Sequence, residues 1–226
     1  MRARAQAPSA TRERLIEAAA RLFAERGYRG ATLREIASRA GANLAAANYH
    51  FGSKQRLYLE VARAEFDRLE RLLEERGASA EAADLARLSQ AQLVERLRER
   101  VRTTLEALLD RQTAHGTLMQ RELADPSEAL PHIVRRHIDP MRRALERILG
   151  RLAPELDEER IERCTRSVVG QVSFYLTHRS ALLLLMRRRG YPAGFLDEVA
   201  DHVTEFSLGG LERLAGQRAR PKESAG

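Results

Sequence analysis

Apolar residues recur at spacings of three and four along nearly the whole chain, and no convincing stretch alternates with the period of two that a half-buried strand needs. Leu15, Ala18, Ala19, Leu22 and Phe23 mark a first helix from about Thr11 to Arg26, closed by Gly27 in the manner of a left-handed cap. "TLRE" (32–35) has the form of a capping box, in which Thr32 and Glu35 each satisfy the other's backbone N–H. It predicts a second helix of about two and a half turns that ends at Gly41. Asn43 is suited to cap a third, which stops near Phe51–Gly52, and Ser53 a fourth, whose Leu57, Val61, Ala64 and Leu69 form a buried stripe.

The polar, alanine-rich stretch after Gly77 predicts a loop or a frayed turn. Periodicity resumes at Val94, Leu97, Val101, Leu105 and Leu108, and a short segment comes next around 117–124. "DPSE" (125–128) predicts a helix start, with Asp125 as cap and Pro126 at the first helical position. Pro131 and Pro140 then kink or split the helical region they interrupt. Two long helices are expected last, at roughly 157–188 and 195–214. In the second, Leu196, Val199, Val203, Phe206 and Gly210 alternate spacings of three and four, a narrow seam suited to helix–helix contact. The expected fold is all-α, and no repeat of 20–50 residues interrupts it.

Composition narrows the class. With 43% hydrophobic residues the chain can bury a core, and Leu, Ala, Arg and Glu dominate, as helices prefer. The single Cys164 excludes an internal disulfide framework; a buried structural thiol and a redox sensor both remain open. "MRARAQAPSATRER" has no apolar leader region, and "SALLLLM" (180–186) is far too short to span a bilayer, so a soluble cytoplasmic protein is expected. Charge is unevenly placed. Residues 1–56 hold eleven Arg and Lys against four Glu, while the rest of the chain holds 28 basic and 28 acidic residues. A basic front on a neutral body is the electrostatic footprint of a nucleic-acid binder.

The second and third helices with the turn "AGAN" make a helix-turn-helix of the right size. At about 100° per residue, Ala47 and Phe51 share one face of the third helix. Ala45 and Tyr49 point the opposite way, with Ala46 and Asn48 on the flanks and Leu44 and His50 near the borders. Small residues outward let the axis sit deep in a major groove about 12 Å wide, and alanine methyls can meet thymine methyls. Asn48 can pair bidentately with adenine, and Tyr49 and His50 can donate to phosphate. Backbone N–H groups at Thr32–Leu33 and Ser53–Lys54, with the Lys54 ammonium, offer further phosphate contacts.

Residues 11–61, "TRERLIEAAARLFAERGYRGATLREIASRAGANLAAANYHFGSKQRLYLEV", resemble the N-terminal domain of TetR/AcrR-family transcriptional regulators. "LFAERGY", "TLREIASRAG" and the "YHF-SK-L" ending come in the family's order, and "NLAAANYHFGSK" is similar to the branch with a CecR-like C-terminal domain. The resemblance implies a DNA-facing set of Asn43, Leu44, Ala45, Ala46, Asn48, Tyr49 and His50, with Thr32, Leu33 and Lys54 at phosphates. Family members commonly carry Lys, Gly or Thr where this chain has Leu44, Ala45 and Ala46, and an aromatic residue at Asn48. Base reading here then falls on Asn48, apolar contacts and DNA shape.

The charge pattern and the resemblance together give a basic DNA-binding domain over 1–56, and the polar composition of 1–9 marks a disordered arm. A helical effector-binding and dimerisation body is implied over 57–215, then a disordered tail over 216–226. Its implied partners are a palindromic double-stranded operator, a second copy of the chain and a small-molecule effector, with no cofactor, metal or membrane. Met119, Glu122, Leu123, Phe174, Tyr175 and His178 are candidates to line an effector pocket, and core packing explains most of them equally well. Val172, Leu176, Leu183, Val199, Val203, Phe206 and Gly210 are candidates for the dimer interface. Catalysis finds little footing: His132, His137 and Asp139 form no metal-ligand motif, and Cys164 has no readable base. The rivals to a ligand-released repressor are a helical DNA-acting enzyme, which would need a carboxylate cluster for metal, and a protein-binding adaptor, whose partners would lack the salt response of DNA.

Overall fold

A computed structural model describes residues 8–110 and 115–217, so the expected arm and tail fall largely outside the described residues, which hold helices and no strand. The chain divides into two compact units, residues 1–70 with 107–139 and residues 71–106 with 140–226.

In the first unit, α1 (Pro8–Gly30) is broken near its end by Gly27, at φ 73°. It packs on α2 (Leu33–Arg39) and α3 (Leu44–Phe51), which pack on each other. The first turns of α4 (Lys54–Glu75) complete this head with Leu57, Tyr58, Val61, Ala62, Phe66 and Leu69 buried; Ala64, expected in that stripe, is exposed. Phe23 meets Tyr58 edge-on at 4.8 Å.

Helix α7 (His115–Ala124) is pinned to the head from two neighbouring side chains. Arg121 donates from Nε to the Ala24 carbonyl (2.7 Å) and from Nη2 to that of Glu25 (2.5 Å). Both carbonyls lie in the turn of α1 just before the break at Gly27. Beside it the buried Tyr58 hydroxyl donates to Glu122 Oε1 at 2.5 Å, and Glu122 Oε2 accepts the Ser127 N–H at 3.2 Å. Burial, then the bond to Glu122, pushes the Tyr58 phenol far up.

That second bond overturns the helix start expected at "DPSE". The Ser127 N–H goes to a buried carboxylate, Ser127 Oγ accepts from Ala129, and the next helix, α8 (Leu130–Ile133), waits until Leu130. A π-helical turn, Val134–Ile138, comes directly after it, with the Asp139 N–H reaching the Val134 carbonyl. It precedes Pro140, whose ring and missing N–H a regular α turn would not accommodate. Within this turn His137 is buried and stacked on Phe66 (4.7 Å, 4°), and burial holds its imidazole below the usual range.

The second unit contains α5 (Ala82–Leu85), a short turn inside the expected loop, and most of α6 (Gln90–Leu109). It also holds most of α9 (Asp139–Leu152), α10 (Glu158–Thr177), α11 (Arg179–Leu185) and α12 (Phe195–Ala215). Three arginines hold residues 78–80 by their carbonyls: Arg100 on Ala78 (3.1 Å), Arg96 on Ser79 (2.7 Å) and Arg147 on Ala80 (2.9 Å). Arg102 and Arg98 reach from α6 to Asp197 and Asp201 of α12. The single helix expected over 157–188 is two, because the backbone leaves α geometry at His178 (φ −104°, ψ 13°). There the Tyr175 carbonyl, which a continuous helix gives to Arg179, accepts the Tyr191 hydroxyl at 3.0 Å, and the His178 ring stacks on Phe174. Among the described residues no helix is long and apolar enough to cross a membrane.

One close approach is absolute. A Cβ on Gly116 would lie 1.8 Å from the Leu108 carbonyl oxygen, so the end of α6 and the start of α7 touch only because this side chain is missing. Gly116→Ala is expected to lower stability by about 1–3 kcal/mol, the usual cost of overpacking, in chemical denaturation followed by far-UV dichroism. An unchanged midpoint would show that the contact is not tight.

Candidate nucleic-acid interface

Local hydrogen bonds set the helix-turn-helix. Thr32 is extended (φ −115°, ψ 150°); its Oγ1 accepts from the Glu35 N–H (3.2 Å) and the Glu35 carboxylate accepts from the Thr32 N–H (3.0 Å), the full capping box. The Thr32 hydroxyl and N–H bonds, together with Arg26, hold the Glu35 carboxyl below its ordinary range. Gly41 takes φ 61° in the turn, a conformation that costs a side-chain-bearing residue but not glycine. Asn43 Oδ1 then accepts the Ala46 N–H (2.8 Å) and starts α3. After Gly52, Ser53 Oγ accepts the Arg56 N–H (3.2 Å) and starts α4.

The two faces of α3 differ as the periodicity predicts. Ala47 and Phe51 are buried, with the Arg12 guanidinium 5.5 Å over the Phe51 ring. Tyr49 is 84% exposed, Asn43, Ala45 and Asn48 are exposed, and Leu44, Ala46 and His50 are half-buried at the borders. Tyr49 and His50 meet edge to face at 5.3 Å.

Two expected phosphate contacts change character. The Thr32 N–H and hydroxyl are both taken by the Glu35 carboxylate, whose charge opposes a phosphate there. The N–H groups of Leu33 and Arg34 are the first-turn donors that remain at that end. Lys54 donates from Nζ to the Tyr28 carbonyl (3.0 Å) and lies 4.3 Å over the Tyr28 ring, which leaves two of its three N–H donors.

Sequence reasoning missed a cleft of about 430 Å³ beside the C-terminal half of α3, to which Arg12, Arg56 and His132 contribute side chains with Asn48, Tyr49 and His50. Arg56 was findable, two residues past Lys54 in the same first turn. His132 was not: it is 76 residues downstream of Arg56, and only the fold brings it there.

The candidate pocket and dimer residues lie elsewhere in the fold. Met119 and Glu122 are buried in the first unit, where Glu122 is committed to Tyr58 and Ser127, and Leu123 is exposed. Phe174, Tyr175 and His178 belong to the second unit, in ring contact with one another and with Phe195. Val172, Leu176, Val199 and Val203 are buried within this one chain, in which α10 packs on α12, and Leu183 is half-buried. The seam expected on α12 therefore splits. Val199, Val203 and Leu211 recur in multiples of four and face inward, whereas Phe206 (66% exposed) and Gly210 lie off that row and face outward.

Comparison with known proteins agrees with this geometry. The tetR-family model of bacterial regulatory proteins matches residues 15–61, and the C-terminal domain model of the HTH-type transcriptional dual regulator CecR matches residues 93–211. The HTH-type transcriptional repressor AcnR of Corynebacterium glutamicum is 39% identical over 70 residues, 31% of this chain and 37% of AcnR; the chain thus spans little more than a third of that relative. CecR of Shigella flexneri is 28% identical over 185 residues, covering 80% of this chain and 81% of CecR. The crystal structure of AibR in complex with isovaleryl coenzyme A and operator DNA is similar at TM-score 0.64 and 19% identity, over 87% of this chain and 97% of AibR. A chain from Pseudomonas aeruginosa PAO1 reaches TM-score 0.70 at 24% identity, over 96% and 97%. At such identities the structural likeness is one of fold. With one model over its head and the other over more than half of its length, the chain belongs to the TetR family of bacterial regulatory proteins, in the branch with the CecR C-terminal domain.

Proposed function

We propose that this chain is a cytoplasmic transcriptional repressor, without enzymatic activity, that binds a palindromic operator as a homodimer and is released by a small organic effector. The observation that carries the reading is the outward face of α3. It presents Ala45, Ala46, Asn48 and Tyr49 to solvent or at its border, while Ala47 and Phe51 anchor the helix from behind. Such a face lets a helix enter the major groove with its axis close to the base edges. Asn48 then reads adenine, and Tyr49, His50 and the two remaining Lys54 donors hold the phosphate rails.

Dimerisation supplies the second reading helix, because half-sites one helical turn, about 34–36 Å, apart need two heads at fixed spacing. The exposed apolar residues of α10 and α12, Val169, Phe174 and Phe206 with Gly210, suit that role better than the buried four. AibR, solved with isovaleryl coenzyme A and operator DNA, supports an organic effector as a partner. In this chain the effector acts by binding best to a conformation that holds the two reading heads at the wrong separation.

Two measurements test this on DNA from upstream of the protein's own gene. Asn48→Ala is expected to cost roughly 1–3 kcal/mol on the operator and little on random duplex; equal losses on both remove Asn48 from base reading. With about four phosphate contacts per subunit, log K against log salt should fall with a slope of about −7 for the dimer. A slope near zero counts against DNA as the partner.

A further inference from the structure

The cleft beside α3 has a chemistry that the reading helix alone does not supply. Its walls are the C-terminal half of α3, the Gly52 turn, the first turns of α4 and α8, with Arg12, Arg56, Glu60 and His132 as its charged or titratable groups besides His50. Glu60 is the one carboxylate, and it is already matched, since Arg12 and Arg63 both pair with it. The side chains of Arg56 and His132 have no hydrogen-bond or ion-pair partner among the described residues, and both are exposed. The Arg56 guanidinium lies 3.6 Å from where a Cβ would stand on Gly52, which places it against the Gly52 turn.

A helix about 10–12 Å across fills a major groove about 12 Å wide, so side chains flanking its exposed face meet the phosphate rails and not the bases. Arg56 and His132 stand on that flank, next to Asn48 and Tyr49. We propose that Arg56 and His132 seat one phosphodiester of the operator backbone, a contact to which α8 contributes from outside the helix-turn-helix. The inference rests on the DNA-binding reading above. The ligand chemistry is a phosphate anion, and the DNA backbone is its source. The site is an open cleft continuous with the reading face, and it offers one unpaired guanidinium where a free polyphosphate would need several.

The experiment measures binding of fluorescent operator and random duplexes by anisotropy over a range of salt, for the wild type, Arg56→Gln and His132→Gln. Both side chains are exposed, and unchanged thermal unfolding confirms that the variants fold. Each variant is expected to weaken both duplexes by the same factor, roughly tenfold. Arg56→Gln should also reduce the steepness of the salt slope by about 1 per subunit. Uncharged methylphosphonates placed singly along the operator should reveal one position that weakens the wild type and leaves Arg56→Gln unaffected. Wild-type affinity and slope in both variants, beside a wild type that binds the operator, would overturn the phosphate seat and leave the DNA reading intact. Displacement of DNA by inorganic phosphate at constant ionic strength, lost in the variants, would overturn it in favour of a free-phosphate site. A wild type that binds neither duplex would sink both readings.

Discussion

The burial of Ala47 and Phe51 behind α3 is the constraint on which the rest of the head depends. A helix of eight residues has little stability of its own, because nucleation costs more than so few hydrogen bonds return. Its orientation is therefore fixed by what it packs on and by its caps. Asn43 fixes where it begins and Gly52 where it stops, and the apolar pair fixes which way it faces. Once those are set, the solvent face can carry almost any side chain without cost to the fold. A regulator needs that separation, since the face must match an operator while the anchor stays put.

Among the abundant arginines two roles stand out beside the pairing with carboxylates. Several spend their donors on backbone carbonyls: Arg121 on the end of α1, and Arg96, Arg100 and Arg147 on residues 78–80. A guanidinium with five N–H groups suits this role, because carbonyls left unpaired at helix ends and in loops need donors. Arg56 instead is left unpaired at the edge of the reading face.

What the sequence made legible was local. The capping box at Thr32, the turn at Gly41, the Asn43 cap and the split faces of α3 depend on residues within four positions of one another, and each is found in place. What it hid was long-range. The "DPSE" start fails because a carboxylate from α7 takes the Ser127 N–H. The break at His178 depends on Tyr191. The α12 seam divides between two faces, and spacings of three and four cannot tell a face packed on its own chain from one turned to solvent. Ala64, expected in the buried stripe of α4, is exposed, and its spacing hid this in the same way. His132 comes beside the end of α3 through the fold alone.

In the proposed function one side of α3 holds and the other side reads, and a matched pair of substitutions tests that division most directly. Ala45→Phe and Ala47→Phe add the same bulk two positions apart, and each is followed by thermal unfolding and by operator binding. Ala45→Phe should unfold within about 0.5 kcal/mol of the wild type yet bind the operator at least roughly tenfold more weakly, because the ring keeps the helix out of the groove. Ala47→Phe should lose about 1–3 kcal/mol of stability. Full operator affinity with Ala45→Phe, or a loss of stability there equal to that of Ala47→Phe, would contradict the division.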